Sequence, residues 1–174
     1  MSPVHGLPAD PGAVVVEWSV SGGGAAANHG PDLIVRADGS AAASARFGGG
    51  RSVDGVLAPE RLQDLLHAIL DERRFFGIDG PALEGRMRAE RDRRASAGMA
   101  AGGEAVPVPL GPPYVDAGVT RIAVHADGRR HEVAVQGLAA AAREYPQLRE
   151  LVELRAIELE LLELAERIGS GRPG

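Results

Sequence analysis

The fold of this chain is decided by residues 120–135, which read TRIAVHADGRRHEVAV. Apolar and polar residues alternate on both sides of Asp127-Gly128. An Asp-Gly pair favours the two-residue type I′ turn, because both central positions of that turn need a positive φ. Pairing across the turn sets Ile122 opposite Val133. The stretch therefore predicts an antiparallel hairpin with one apolar face.

A weaker version of this pattern lies nearer the N-terminus. Residues 14–20 alternate in the manner of a half-buried strand. Two further strands, at 33–37 and 40–47, flank Asp38-Gly39, for which we predict the same type I′ turn. The second of these strands is rich in Ala and Ser, so its register is weakly specified.

A helix is predicted to follow this first hairpin. Pro59 suits the first helical position, where the missing N–H has no intrahelical partner to lose. Residues 62–70 then place apolar side chains at helical spacing, and Phe75 and Phe76 come next. We expect one or both of these Phe residues to fill the core where the chain leaves the helix.

The C-terminal part, residues 138–168, is predicted to be helical with a break before Pro146. Its apolar residues follow a 3-4-3-4 spacing, which is a heptad stripe, and further apolar residues lie on a second face. Such a helix packs on the sheet with one stripe and has another to cover. We therefore expect partner binding or self-association here, unless the first helix or the insertion covers the surface. The residues of the predicted stripe are Leu154, Ile157, Leu161, Leu164 and Ile168.

Together these elements predict an α+β fold. We expect an antiparallel sheet of 4–5 strands with two helices packed on one face, in the order β-β-β-α-(insertion)-β-β-α. Residues 1–12 are expected to be a flexible leader and 13–168 a single domain. Residues 79–113 are interpreted as a low-complexity insertion, mostly unstructured with a short polar helix at 82–94. Residues 169–174 are a tail.

Composition narrows the classes of function. The chain has no Cys, which excludes disulfides, thiolate catalysis and Cys-ligated metals. The formal net charge of −5 argues against nucleic acid as a general partner. No apolar run is long enough to cross a membrane, and residues 1–12 do not resemble a signal peptide. We therefore expect a cytoplasmic protein that binds neither nucleic acid nor membrane.

No catalytic, cofactor-binding or metal-binding residue is predicted. The Gly-x-Ser-x-Gly motif of hydrolases is absent. His131-Glu132 begins like a zinc-protease motif, but Val135 stands where the second His is required. No pair of histidines has metal-ligand spacing on one element, so structural or surface roles are expected for all five, and no cofactor or small-molecule substrate is identified. The histidines are His5, His29, His67, His125 and His131.

Three short motifs carry a family resemblance over residues 13–136. They are Ser-Gly-Gly at 21–23, Leu-Ala-Pro-Glu at 57–60 and Phe-Phe at 75–76, before a Gly/Pro-rich gap and a strand pair across Asp-Gly. This order resembles a group of small bacterial domains of unknown function. It is similar also to the emfourin-type inhibitors of thermolysin-like metalloproteases. The resemblance implies an inhibitor that acts through loop 21–31.

Three hypotheses for function follow from the sequence. The first is a non-catalytic binding or interaction domain that self-associates through its C-terminal helix. The second is a proteinaceous inhibitor of a thermolysin-like metalloprotease. The third is an unrecognised enzyme, which would need a deep polar pocket with convergent His, Glu or Arg side chains.

Overall fold

The computed structural model of this chain describes residues 4–22, 30–100 and 117–171, without the side chains of residues 98–100. The predictions for His29 and for most of loop 21–31 concern residues outside this part of the chain. The elements are β1 (Val14–Ser21), β2 (Leu33–Arg36), β3 (Ser40–Ala43), β4 (Val53–Val56), α1 (Pro59–His67), α2 (Gly80–Ala100), β5 (Val119–Ala126), β6 (Arg129–Gln136), α3 (Leu138–Glu144) and α4 (Arg149–Gly169).

The strands form one antiparallel sheet in the order β4-β3-β2-β1-β5-β6. Trp18 of β1 lies between Leu33 of β2 and Ile122 of β5, and all three side chains are buried. Buried side chains of the four α-helices join the same core cluster: Leu62, Leu83, Leu138 and Leu154. The predicted α+β class is confirmed.

The described sheet has six strands, one more than the upper limit of our prediction. The additional strand is β4, which pairs with β3 at the edge of the sheet and aligns Gly55 with Ala41. Its sequence, Val-Asp-Gly-Val, lacks the β-branched run that marks a strand, since Asp and Gly both disfavour strand structure. An added β-carbon on Gly55 would stand 3.1 Å from Ile168 of α4, so this glycine lets the helix approach the edge.

The predicted β5–β6 hairpin is confirmed in register and in turn. Ile122 pairs with Val133, and the two turn residues Asp127 and Gly128 have φ values of 53° and 68°. Both values are positive, as a type I′ turn requires.

The type I′ turn predicted at Asp38-Gly39 is wrong. Gly39 has a φ of 83°, but Asp38 is not in the left-handed region, and the Gly39 N–H donates to the Arg36 carbonyl at 3.0 Å. The turn is therefore centred on Ala37 and Asp38 and is followed by a left-handed glycine, which gives a three-residue loop. The Asp38 carboxylate accepts a hydrogen bond from the Ser40 N–H at 2.8 Å and favours this arrangement.

Helix α1 continues into one wide, π-helical turn at Ala68–Glu72, in which the Arg73 N–H donates to the Ala68 carbonyl at 3.1 Å. Phe75 follows and is fully buried, as we predicted for the chain leaving this helix. Wide turns of this kind are frequently found at functional sites.

Helix α2 covers Gly80–Ala100 and is longer than the polar helix that we predicted at 82–94. The Asp79 side chain caps its start by accepting the Ala82 N–H at 2.9 Å. Leu83 is its buried anchor, and Glu90 pairs with Arg93 and Arg94 along its surface. Because this helix has one fully buried apolar side chain among those described and several surface ion pairs, its sequence shows no apolar period.

Candidate functional site

The stripe that we predicted as a partner surface lies in the core instead. All five residues are at most 8% exposed: Leu154, Ile157, Leu161, Leu164 and Ile168. The sheet explains this placement, since the inward side chains of β3 are alanines and leave room for large side chains from α4. The stripe is therefore the face with which α4 packs on the sheet.

The opposite side of α4 is the outer face of the helix, where apolar side chains are exposed. We use this name for Val152, Ala156, Leu159 and Glu163. Val152 is 45% exposed and Leu159 is 46% exposed. These two residues are seven positions apart, and a heptad returns an α-helix to within about 20° of the same direction. They therefore point the same way and form a short apolar strip.

A shallow hollow lies beside this strip, between α3 and α4. Its volume is about 270 Å³, and Ala139, Ala142, Arg143, Val152 and Arg155 line it. Arg155 is held in place by an ion pair with Glu158, a buried carboxylate that also accepts the Thr120 hydroxyl at 2.8 Å. The hollow is thus small, and its lining combines three apolar side chains with two arginines.

A second site begins at the N-terminal segment, where His5 is held against α1. The backbone N–H of His5 donates to Gln63 Oε1 at 2.8 Å, and Gln63 Nε2 donates to the His5 carbonyl at 3.1 Å. The side chain of His5 is only 6% exposed. Residues expected to form a flexible leader therefore include a buried histidine with a fixed backbone.

Asp127 of the β5–β6 turn fixes the other side of this segment. Its Oδ1 accepts the Gly6 N–H at 2.6 Å, and its own N–H donates to the Gly6 carbonyl at 2.7 Å. Its Oδ2 lies 2.9 Å from His5 Nδ1. The His5 ring, followed by the Gly6 N–H, holds the pKa of the Asp127 carboxyl below its ordinary value. An ionised Asp127 favours a proton on His5 Nδ1.

The end of α1 supplies the remaining side chains. His67 and Asp71 are four residues apart, so they share one side of the helix. Asp71 Oδ2 lies 2.7 Å from His67 Nδ1 and 3.2 Å from His5 Nε2. We call His5, His67, Asp71 and Asp127 together the His5 cluster.

Two nitrogens in this cluster converge on one carboxylate oxygen. When the proton of a neutral His5 is on Nδ1, its Nε2 carries a lone pair that faces the lone pairs of Asp71. That contact is favourable only with a positive charge between the two atoms, either an added proton on His5 or a cation. One ligand atom from each of His5, His67 and Asp71 lies within 4.8 Å of the other two.

Sequence reasoning missed this cluster because its members are distant in the chain. His67 and Asp71, at spacing i,i+4 on a predicted helix, were the signal that could have found half of it. His131, another candidate that we considered, has a structural role: its Nε2 lies 2.8 Å from the Ile78 carbonyl, and its ring packs edge-on against Phe75. His125 lies on β5 opposite Arg130, two residues before Asp127, and is not a member of the cluster.

Comparisons with known proteins give no family for this chain, since no family model, no curated protein and no solved structure matches it. Among the described residues, no helix is both long enough and apolar enough to cross a membrane. The loop to which the resemblance assigns inhibition falls largely on residues 23–29, which lie outside the described ranges.

Proposed function

We propose that this chain is a non-catalytic interaction domain that self-associates through the outer face of α4. Self-association is supported by two exposed apolar residues, Val152 and Leu159, which lie beside an apolar hollow. Single exposed apolar residues are common on protein surfaces. Two that share one direction next to a recess make a better anchor for a protein partner.

The spacing of these residues favours an antiparallel pair of α4 helices. An α-helix rises 1.5 Å per residue, so Val152 and Leu159 lie about 10 Å apart along α4. A two-fold axis through the point between Arg155 and Ala156 sets Leu159 of each copy opposite Val152 of the other. Each Leu159 then fills the hollow of its partner copy, and the small Ala156 at the centre permits close approach. Such an interface is self-complementary, as a symmetric dimer requires.

Charge supports the same arrangement. The axis that pairs Val152 with Leu159 also sets Arg149 of one copy near Glu163 of the other, and this happens twice in the dimer. Both side chains are exposed, and each has an ion-pair partner in its own chain, Glu153 for Arg149 and Arg167 for Glu163. Exchange of these partners across the interface costs little, since exposed ion pairs contribute only about 0–1 kcal/mol.

The experiment is a light-scattering mass across a concentration series. We expect the mass to rise from that of one chain, 18.1 kDa, toward twice that value. Leu159→Glu places a charge in the apolar contact and should return the mass to one chain. Val56→Glu is the matched control, since Val56 is an exposed apolar residue on β4 and is not part of the outer face of α4. This variant should associate as the original chain does.

Mixing two variants tests the antiparallel geometry itself. Val152→Arg and Leu159→Glu should each be monomeric alone. Mixed in equal amounts they should form a heterodimer, because one contact becomes an Arg–Glu pair and the other keeps the original Val and Leu. A parallel pair would place each new charge against an apolar residue. A mass of one chain for the original protein at every concentration contradicts the proposal, and failure of the mixture to associate contradicts the geometry.

A further inference from the structure

We propose that His5 Nε2, His67 Nδ1 and Asp71 Oδ2 form a binding site for one divalent first-row transition-metal ion, with zinc as the first candidate. This inference goes beyond self-association and does not rest on it. It combines a buried histidine from the N-terminal segment with two side chains at the end of α1. His67 and Asp71 are partly exposed, so a water molecule can reach the site and complete the coordination.

The distances suit this use. Two ligands that are each about 2.0–2.1 Å from a tetrahedral zinc lie about 3.3 Å apart. His5 Nε2 and Asp71 Oδ2 are 3.2 Å apart, and His67 Nδ1 and Asp71 Oδ2 are 2.7 Å apart. The second pair must separate by roughly half an ångström, and the two ring nitrogens, which lie within 4.8 Å of each other, must also come to about 3.3 Å. His67 and Asp71 are 32% and 38% exposed, so their side chains have room for this movement.

The surroundings of His5 are those of a metal ligand. A histidine that binds a metal commonly donates its other ring N–H to a carboxylate, which fixes the tautomer and makes the free nitrogen more basic. Asp127 Oδ2 stands 2.9 Å from His5 Nδ1 in that position. The two hydrogen bonds with Gln63 fix the backbone of His5. The ring is therefore oriented before any ion arrives, and its Nε2 is directed at the end of α1.

His67 has an acidic neighbour on its outer side as well. If Nδ1 is the ligand atom, the free nitrogen is Nε2, and Glu72 Oε1 lies 3.9 Å from it. This distance is too long for a hydrogen bond but short enough for electrostatic support. Asp71 and Glu72, both on the wide turn after α1, thus bring negative charge close to His67, which attracts a cation.

The donor set decides which ions fit. Two imidazole nitrogens and one carboxylate suit zinc, iron(II), cobalt(II), nickel(II) and copper(II). Calcium and magnesium prefer sites made entirely of oxygen ligands. The chain has no Cys, so the site differs from closed, thiolate-rich structural zinc sites. Three protein ligands with one open position form a site that binds an ion and leaves it accessible.

The test is a cobalt(II) titration of the full chain followed by visible absorption, with zinc as the competitor. Any polyhistidine tag must be removed first, since it would bind the same ions. We expect one saturable equivalent of cobalt, with the intense absorption of a four-coordinate site, and stoichiometric displacement by zinc. Zinc should also raise the melting temperature, because an ion that binds only the folded chain stabilises it.

Variants locate the site. His67→Asn and Asp71→Asn should each abolish the intense absorption and the zinc-dependent rise in melting temperature. Asp127→Asn should weaken zinc binding by about 10–100-fold while one ion still binds, since Asp127 acts by orienting His5. His125→Asn is the matched control, because it removes a histidine outside the cluster. It should bind cobalt and zinc as the original chain does.

Three outcomes overturn the inference. One is the lack of saturable cobalt binding at a large molar excess, which would leave the cluster as a set of hydrogen-bonded contacts only. Another is equal loss of binding in His125→Asn and His67→Asn. The third is unchanged binding in His67→Asn and Asp71→Asn. The melting temperature of each variant without metal shows whether it is folded, and Asp127→Asn keeps a residue type that tolerates the positive φ of that position. Self-association measured on the same samples reports separately on the α4 interface.

Discussion

The two Asp-Gly turns of this molecule begin from the same dipeptide and reach different structures. At Asp127-Gly128 both residues have positive φ, and the turn joins β5 directly to β6. At Asp38-Gly39 only the glycine does, and the loop between β2 and β3 is one residue longer. The Asp38 carboxylate bonds to the Ser40 N–H, whereas the Asp127 carboxylate bonds to Gly6 and His5.

This difference shows that an Asp-Gly pair predicts a turn but leaves its type open. Where the Asp side chain accepts a bond from its own backbone two residues on, it stabilises a local turn. Where a distant segment supplies the partners, the same carboxylate joins parts of the chain that are far apart. The first turn therefore supports the fold locally, and the second helps to build a site.

Substitution of Gly39, in the first of the two turns, should reduce stability most. A β-carbon on Gly39 would lie 2.4 Å from the Leu57 carbonyl oxygen, in addition to the strain of φ 83°. We expect Gly39→Ala to lower the free energy of unfolding by about 2–4 kcal/mol, since a left-handed non-glycine residue costs about 1–2 kcal/mol and the backbone overlap adds to this. Urea denaturation measures it.

Gly128→Ala is the matched variant for this comparison. Gly128 has a φ of 68°, but an added β-carbon meets no atom within 4 Å. Only the conformational cost applies, so we expect a loss of about 1–2 kcal/mol. Equal losses for the two variants would contradict the role that we assign to the close approach of Leu57.

Neutralising the turn carboxylates, Asp127 and Asp38, should reduce stability by a smaller amount. Asp127→Asn removes the charge that holds Gly6 and His5, and we expect it to cost about 1 kcal/mol. The amide of Gly6 should exchange with solvent faster, measured by hydrogen exchange. Both amides keep an oxygen that can accept a backbone N–H, but only Asp127→Asn disturbs a contact with His5, so Asp38→Asn should change stability by less. Unchanged exchange at Gly6 in Asp127→Asn would show that the segment is held by other contacts.

The contribution of Asp127 should also make the stability of the fold depend slightly on pH. The pKa of Asp127 is lowered mainly by the hydrogen bond with His5, so this carboxyl binds a proton less readily when the chain is folded. Its stabilisation is then complete above the unfolded pKa of about 3.9 and is lost as the pH falls through the lower folded pKa. With a metal chelator present, stability should fall less steeply below about pH 5 in Asp127→Asn than in the original chain.

Asp38 provides the contrast in the same titration. The Ser40 hydrogen bonds also lower the pKa of Asp38, but the side chain is exposed, so solvent screens its contribution. Asp38→Asn should leave the acid limb close to that of the original chain. A steeper acid limb in Asp127→Asn than in the original chain would contradict the direction of the shift.

Much of the fold could be predicted from the sequence, where local pattern and turn chemistry agree. The β5–β6 register is one example, since alternation and the type I′ dipeptide lead to the same pairing. Strand β4 was missed because its stability comes from pairing with β3 rather than from its own residues. Helix α2 was underestimated because Leu83 is its one fully buried side chain among those described.

The sites were harder to predict, for a different reason. On α4 the sequence shows two apolar faces, but it does not say which of them the sheet needs. In the His5 cluster, residues 5, 71 and 127 meet only after the sheet and α1 have formed. Proline residues near the N-terminus favoured a loose segment, and the two hydrogen bonds with Gln63 that order it have no local signature in the sequence.

In our interpretation, the Asp127-Gly128 turn orients His5 toward His67 and Asp71. Nitrogen NMR of the histidine side chains, with and without zinc, tests it most directly. We expect a proton on His5 Nδ1 and zinc-dependent shifts at His5 Nε2 and His67 Nδ1, while His125 does not change. A proton on His5 Nε2 in the zinc-loaded chain, or zinc-dependent shifts confined to His125 or His131, would contradict it.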